Sequence, residues 1–359
     1  MKKSLILLAI LLGAGQVMSA QEKENPLTIS GYGEVYYQYD FNNPLNNTRS
    51  NFVYSQNRNN EFNLNLGFIK AAYNTEMLRA NLAIGVGTYM NANYAAEPGV
   101  LKNIYEANVG FKLSKTHNLW LDAGIMPSHI GSESAISKDC WTLTRSMGAE
   151  NSPYFETGAK LTYSTANEKW TASLLVVNGW QRIQQVDGNS VPSFGHQLVY
   201  KPNDKLTFNS SSFIGNDKAD SIRQMRYFHD LYAIYQINDQ WGVSAGFDIG
   251  IEQKEKGSSK YNSWYSPVLI VRYKPSDKLA FAARGEYYSD KNGVIISSDT
   301  PNGFRTLGYS LNADYYILPN LVWRTEVKNF DSKDAVFLDR DDNMKKNNLS
   351  AITSIAVNF

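Results

Sequence analysis

Three things are scarce in this sequence: cysteine, histidine and long apolar runs. Of 359 residues, 1 is cysteine (Cys140) and 4 are histidine. A single thiol excludes an intrachain disulfide and any cysteine-cluster metal site. No stretch approaches the roughly 18 consecutive apolar residues that a membrane-crossing helix needs. Charge of one sign is missing too: 35 basic against 34 acidic side chains leave a formal +1. No basic excess points to nucleic acid or to an anionic membrane surface. Cofactor signatures are equally absent. Gly31-x-Gly33 and Gly85-x-Gly87 have no third glycine in register and no helix to follow, so no dinucleotide site is expected. Asp339-x-Asp341-x-Asn343 opens like a calcium loop, but Met344 stands where glycine is required and Ser350 at the twelfth position. No metal and no cofactor is expected.

The front end reads MKKSLILLAILLGAGQVMSAQEKE. Lys2 and Lys3 form a positive start, Ser4 to Ala14 a short apolar stretch, and Met18-Ser19-Ala20 a small-residue cleavage site. Residues 1–20 are therefore expected to be a secretory signal peptide. Residue 21 is Gln and not Cys, so lipid anchoring is not indicated. Losing the two lysines takes the formal charge to −1.

What is present is aromatic residue in quantity, 23 Tyr, 16 Phe and 7 Trp, with a mean hydropathy of −0.39. Apolar residues are spread one in two. In 305–316, Leu307, Tyr309, Leu311, Ala313 and Tyr315 oppose Thr306, Gly308, Ser310, Asn312 and Asp314. In 321–328, Leu321, Trp323, Thr325 and Val327 oppose Val322, Arg324, Glu326 and Lys328. Segments 104–113, 241–252 and 349–359 alternate likewise. A period of two is a strand, and a charged or glycine-rich face cannot be a protein core. One face reads as lipid-facing and the other as a watery interior.

Short turns fall near 73–76, 114–117, 165–168, 201–205, 237–240, 274–278 and 318–320, each with Asn, Asp, Pro or Ser chemistry. Longer polar connections run roughly over 41–57, 92–100, 128–152, 180–192, 215–223, 253–260, 290–302 and 331–345. These separate about 16 strands; 14 or 18 also fit, because 192–202 and 204–214 alternate poorly and 224–237 allows either phase. The expected fold is all-β: over 21–359, one transmembrane antiparallel up-and-down barrel with short periplasmic turns and long extracellular loops. The last strand, ending on Phe359, is expected to pair with 27–40 and leave no edge. Phe359 is also expected to serve as an assembly signal. The alternative, a soluble solenoid or sandwich, is disfavoured by aromatic strand ends (Tyr154, Tyr163, Trp170, Tyr200, Trp241, Tyr273, Trp323) that suit membrane girdles.

Three stretches, ISGYGEVYYQYDFNNP (29–44), WTLTRSMGAENSPYFETGAKLTY (141–163) and LVVNGWQRI (175–183), resemble the OmpL-like family of β-barrel porins of Gram-negative bacteria. The resemblance extends through most of the mature chain and implies a pore in the cell outer membrane. It supplies no catalytic residue and no substrate.

Alternation assigns Glu106, Lys112, Glu156, Lys160, Arg284, Glu286, Arg324, Glu326 and Lys328 to the pore lining. Their signs are mixed, so strong ion selectivity is not expected, although changing Arg284 or Arg324 should alter ion preference. The longest connection, 128–152, suits a constriction loop, with Glu133, Lys138, Asp139, Arg145 and Glu150 facing Arg284, Arg324 and Lys328. A solvated surface loop fits the same residues. No enzyme is expected. His129 with Ser132 or Ser134 would need to lie within hydrogen-bond reach on the lipid face, and neighbouring His229 and Asp230 point to opposite faces of a strand. Only about six residues, 21–26, precede the first strand, which leaves no room for a plug. The expected function is passive diffusion of small hydrophilic solutes and ions; the alternative is a barrel with a closed lumen whose loops bind a partner. Expected partners are outer-membrane lipids and lipopolysaccharide, the barrel assembly machinery and the solutes themselves, with a homotrimer left open.

Overall fold

The computed structural model describes residues 25–359; the expected signal peptide, 1–20, lies outside the described residues. The barrel strands are β1 (Leu27–Asp40), β2 (Glu61–Asn74), β3 (Leu78–Val86), β4 (Ile104–Lys112), β5 (Asn118–Pro127), β6 (Phe155–Ser164), β7 (Trp170–Val177) and β8 (Ser193–Asn203). They continue with β9 (Leu206–Gly215), β10 (Arg226–Gln236), β11 (Trp241–Gln253), β12 (Tyr261–Ser276), β13 (Leu279–Asp290), β14 (Phe304–Leu318) and β15 (Leu321–Ser332). Two short strands, β16 (Phe337–Leu338) and β17 (Met344–Lys345), make a separate ladder in the last loop, and β18 (Asn347–Asn358) completes the barrel. Sixteen antiparallel strands, each paired to its chain neighbour, close into one barrel.

Closure follows from the alternation at both ends of the chain. β18 pairs with β15 on one side and with β1 on the other, from Tyr32 opposite Asn358 to Asp40 opposite Ser350. The Gly31 amide donates to the Phe359 carbonyl at 2.9 Å, and the Phe359 amide returns the bond at 3.1 Å. Every strand edge is thereby paired, which a sheet in hydrocarbon requires. Seven tight turns gather at one end and eight longer connections at the other.

Side chains divide as a period of two dictates. On β14, Leu307, Tyr309, Leu311 and Tyr315 point outward, with Leu311 70% exposed, while Thr306, Ser310, Asn312 and Asp314 are buried inside. Pairing also settles the strands whose phase is ambiguous in sequence. Ser173 opposes Gln197, which opposes Ser211, so these face inward and His196, Ser210 and Ser212 face outward. A slip of one residue would exchange the two faces, so register is fixed by the neighbours. Trp170 stacks on Tyr200 with ring centroids 4.1 Å apart, and Trp241 on Tyr273 at 4.5 Å, both at the short-turn end. Tyr154 departs from the girdle expected of it. It precedes β6 and packs against Tyr89 at 5.6 Å, because the chain there is still part of the long loop.

The interior of the loop end is not empty. Phe52, Met147, Val177, Phe213, Phe228, Trp264, Tyr288, Phe304, Phe330 and Phe337 form one buried apolar cluster drawn from loops and inner wall alike. A second cluster joins Tyr32, Leu66, Tyr89, Tyr94 and Phe155 to Ala135.

Candidate functional site: the lumen and its inward loop

The connection 128–154 holds its own shape before it meets the wall. Arg145 is fully buried, and its guanidinium donates to the carbonyls of Ser134 (2.6 Å), Leu143 (2.6 Å) and Ala135 (2.8 Å). Five donors on a rigid fork suit one arginine to satisfying several loop carbonyls at once. Ser146 caps the short helix Met147–Glu150 by accepting from the Ala149 amide at 3.2 Å, and its own amide donates to Glu133 at 3.1 Å. Burial pushes the Glu133 carboxyl up, while Arg284 beside it pulls the other way. The Cys140 thiol is likewise pushed up by burial.

The loop then docks on β13, β14 and β15. Arg284 donates to the Thr142 hydroxyl (2.9 Å), the Thr144 carbonyl (2.7 Å) and the Thr144 hydroxyl (2.7 Å), and pairs with Glu326 at 2.9 Å. Glu326 accepts the Thr144 amide at 2.6 Å and the Thr144 hydroxyl at 2.9 Å. Glu286 accepts the Met147 amide and pairs with Lys328 at 3.0 Å; Lys328 also donates to the Arg145 carbonyl at 2.9 Å. Arg324 is held by Asp314 at 2.7 Å and donates to the carbonyls of Ser137 and Cys140. Nearly every donor and acceptor in this patch has a partner, which is the condition under which buried charge is tolerated.

A second anchor lies across the barrel. His129 Nδ1 lies 2.7 Å from Glu156 Oε2, and Nε2 lies 2.9 Å from the Ser212 carbonyl. Both partners are accepting oxygens, so both ring nitrogens carry protons and the ring is an imidazolium. Burial opposes that charge, but Glu156 outweighs it and the His129 pKa is raised. Glu150 ties in the first loop by accepting the amides of Tyr54 (2.9 Å) and Ser55 (3.1 Å).

This geometry relocates several expected residues. Arg284, Glu286, Arg324, Glu326 and Lys328 face inward as the alternation requires, yet each is at most 3% exposed. They meet the loop and not water, because the loop covers the wall where they stand. Of the five loop residues, Glu133 reaches a wall cation, Arg284, at 3.6 Å. Arg145 turns into the loop's own carbonyls, Glu150 serves the first loop, and Lys138 pairs with Asp139 at 3.0 Å on the exposed side. Glu156 is occupied by His129.

Glu106, Lys112 and Lys160 lie on β2 to β6, where the loop covers the upper wall through Ala135 and the His129–Glu156 pair and leaves the part nearer the short turns partly open. There Lys70 pairs with Glu106 at 2.6 Å, and Arg79 Nε donates to Asp122 at 2.6 Å. Lys70, Arg79 and Asp122 are additions to the expected lining. The signal for Arg79 is the same alternation read elsewhere: Leu78, Ala80, Leu82, Ile84 and Val86 oppose Arg79, Asn81, Ala83 and Gly85.

The outward face carries its own polar patch. The Ser212 hydroxyl lies 2.5 Å from His196 Nδ1, and the Ser210 hydroxyl 3.2 Å from His229 Nε2. Among the described residues no carboxylate or amide hydrogen-bonds either imidazole to orient it, as a nucleophile–base pair requires. Asp230 faces inward, where it accepts from Asn209 at 2.9 Å.

A family model described as "Putative beta-barrel porin-2, OmpL-like" matches residues 26–359. No curated protein matches the chain. Among solved structures, the anion-selective porin from Comamonas acidovorans aligns at 9% identity over 93% of this chain and 99% of its own, with a TM-score of 0.61. The outer membrane channel DcaP of Acinetobacter baumannii aligns at 10% identity over 93% and 97%, TM-score 0.60. OmpT of Vibrio cholerae, in a structure described as its trimer form, aligns at 9% identity over 93% and 99%, TM-score 0.58. Identities this low establish the fold alone, whereas the family match spans all the described strands. The chain belongs to the OmpL-like β-barrel porin family and is a porin-like barrel of the outer membrane.

Proposed function

We propose that this barrel passes small hydrophilic solutes and ions by passive diffusion, without bond chemistry and without a cofactor. The observation that carries the reading is the inner wall of β2 to β6. Toward the short turns its polar and charged side chains are left partly open to water, below the places where the inward loop touches this wall and across from its main docking site on β13 to β15. A loop docked on one side narrows a lumen without sealing it, and a barrel of about 16 strands is wide enough for a water-filled channel. The reading includes a homotrimer in lipopolysaccharide-bearing membrane, with Phe359 as the handle for the barrel assembly machinery. Support for a trimer comes from the outward patch of Ser210, Ser212, His196 and His229, polar groups that a neighbouring barrel would remove from lipid.

One observation favours a second reading, a closed barrel whose loops bind a partner: the apolar cluster of Phe52, Met147, Trp264, Phe304 and Phe337 fills part of the loop end. Single-channel recording of the refolded mature chain in a planar bilayer separates the two. Stable conductance steps support diffusion. A folded, heat-modifiable barrel that stays silent refutes it and leaves the loop surface as the working part.

A further inference from the structure

We propose that the passage prefers anions, and that Lys70, Arg79, Lys112 and Lys160 set this preference while Arg284 and Arg324 on the opposite wall do not. The inference rests on the diffusion reading above. The lining residues as a set carry mixed signs, but docking of the loop changes which of those charges meet water. Docking withdraws Arg284, Glu286, Arg324, Glu326 and Lys328 from water, each at most 3% exposed. It also withdraws Glu156, which is covered by His129.

What still meets water on this wall is four cations against two carboxylates, Glu106 and Asp122, with the partly exposed Arg58–Glu61 pair at the loop end cancelling. The carboxylates are the covered partners in both pairs. The Lys70 side chain is 27% exposed against 7% for Glu106, and Arg79 is 33% exposed against 6% for Asp122. A solute therefore meets the cationic half of each pair. The arrangement at Asp122 is built. Gly110 stands on the inner face of β4 where any side chain would strike the Asp122 carboxylate, so its absence lets Asp122 lie flat beneath Arg79. The Arg79 guanidinium lies over the Trp120 ring, 4.3 Å from its centroid, and is held there as well.

Lys112 and Lys160 are half-buried and form no salt bridge among the described residues, Lys160 standing opposite Asp122 across the β5–β6 ladder. The inward loop contributes Lys138 and Asp139, which cancel. On the far wall Arg272 faces inward beside Trp141 and donates to the Tyr316 hydroxyl, and the half-buried Asp248 on β11 also faces inward, so this wall adds no net cation. Fixed charge of one sign along a narrow aqueous path raises the local concentration of the opposite ion. The solutes favoured are small anions, inorganic or bearing a carboxylate or phosphate group.

The test is the reversal potential of the refolded mature barrel in a planar bilayer under a potassium chloride gradient. The expected result is chloride permeability above potassium by ~3-fold near 0.1 M salt. The ratio should fall toward one near 1 M, where the screening length shrinks from about 10 Å to about 3 Å. Lys112→Glu with Lys160→Glu should invert the preference. Lys112→Gln with Lys160→Gln should bring it close to neutral and serves if the charge reversal does not refold. Asp122→Asn should raise the preference for anions. A cation-preferring wild type overturns the inference, as does a reversal potential that the lysine variants leave unchanged. In either case the open-pore reading survives, since current is flowing. A silent folded barrel removes both.

Discussion

Replacing Arg284 by alanine should release the inward loop. The Arg284 side chain is wholly buried and meets the loop through Thr142, Thr144 and Glu133, and the wall through Glu286 and Glu326. Its removal leaves Glu133 and Glu326 without their cation and strips the Thr144 carbonyl of a donor. Breaking one partner out of a buried ionic network costs about 3–5 kcal/mol. The strands keep their ladders, so that cost falls on docking of the loop against the wall. It corresponds to a rise in the undocked population on the order of a hundredfold or more. Cys140 supplies the reporter, being the sole cysteine, located in the loop, and buried with its thiol pushed up by that burial. Wild-type protein should label slowly with a maleimide. Arg284→Ala should label faster by the same factor, up to the rate of an open thiol, and its single-channel conductance should increase. Thr144→Val, which removes the hydroxyl set between Arg284 and Glu326 and leaves the backbone contacts and the wall intact, should give a smaller acceleration worth ~1–2 kcal/mol. Labelling within about twofold of wild type in Arg284→Ala, with unchanged conductance, would refute this account of what holds the loop.

Three further outcomes follow from the same geometry. His129 has a raised pKa when docked, so its charged contribution is complete below about pH 6.5 and disappears as pH rises through the docked value. The difference in urea midpoint between wild type and His129→Gln should therefore narrow from about pH 6 to pH 9, and a constant difference would contradict the imidazolium assignment. Leu311 points into the hydrocarbon near the middle of β14, so Leu311→Arg should destabilise the barrel by ~2–4 kcal/mol in lipid-vesicle unfolding, whereas Asn329→Arg near the loop end should cost less. Gly303 has φ of 63°, and a side chain there would collide with the Lys291 backbone. Gly303→Ala should lower stability by ~1–3 kcal/mol, read as an earlier loss of heat-modifiable mobility.

Strand positions, the two faces and the order of short turns and long connections were all legible along the chain. Each is a local property: a strand's faces follow from a period of two, and a tight turn from the residues within it. That is why Trp323-Arg324-Thr325-Glu326 could be sorted into outward and inward members without knowing any neighbour. Where alternation was weak, at 193–203 and 206–215, only cross-strand pairing decided the phase, because Ser and His tolerate either face in sequence. Inward, moreover, does not mean wet. Whether Arg284 or Lys160 faces water depends on where residues 128–154 come to rest. Their resting place is set by contacts such as Thr144 to Arg284 and Thr144 to Glu326, which span 140 and 182 residues. No period in the sequence encodes a contact of that separation. The loop consumed the charges on β13 to β15 and Glu156 on β6 and left Lys70, Arg79, Lys112 and Lys160, and that asymmetry exists only in the folded barrel.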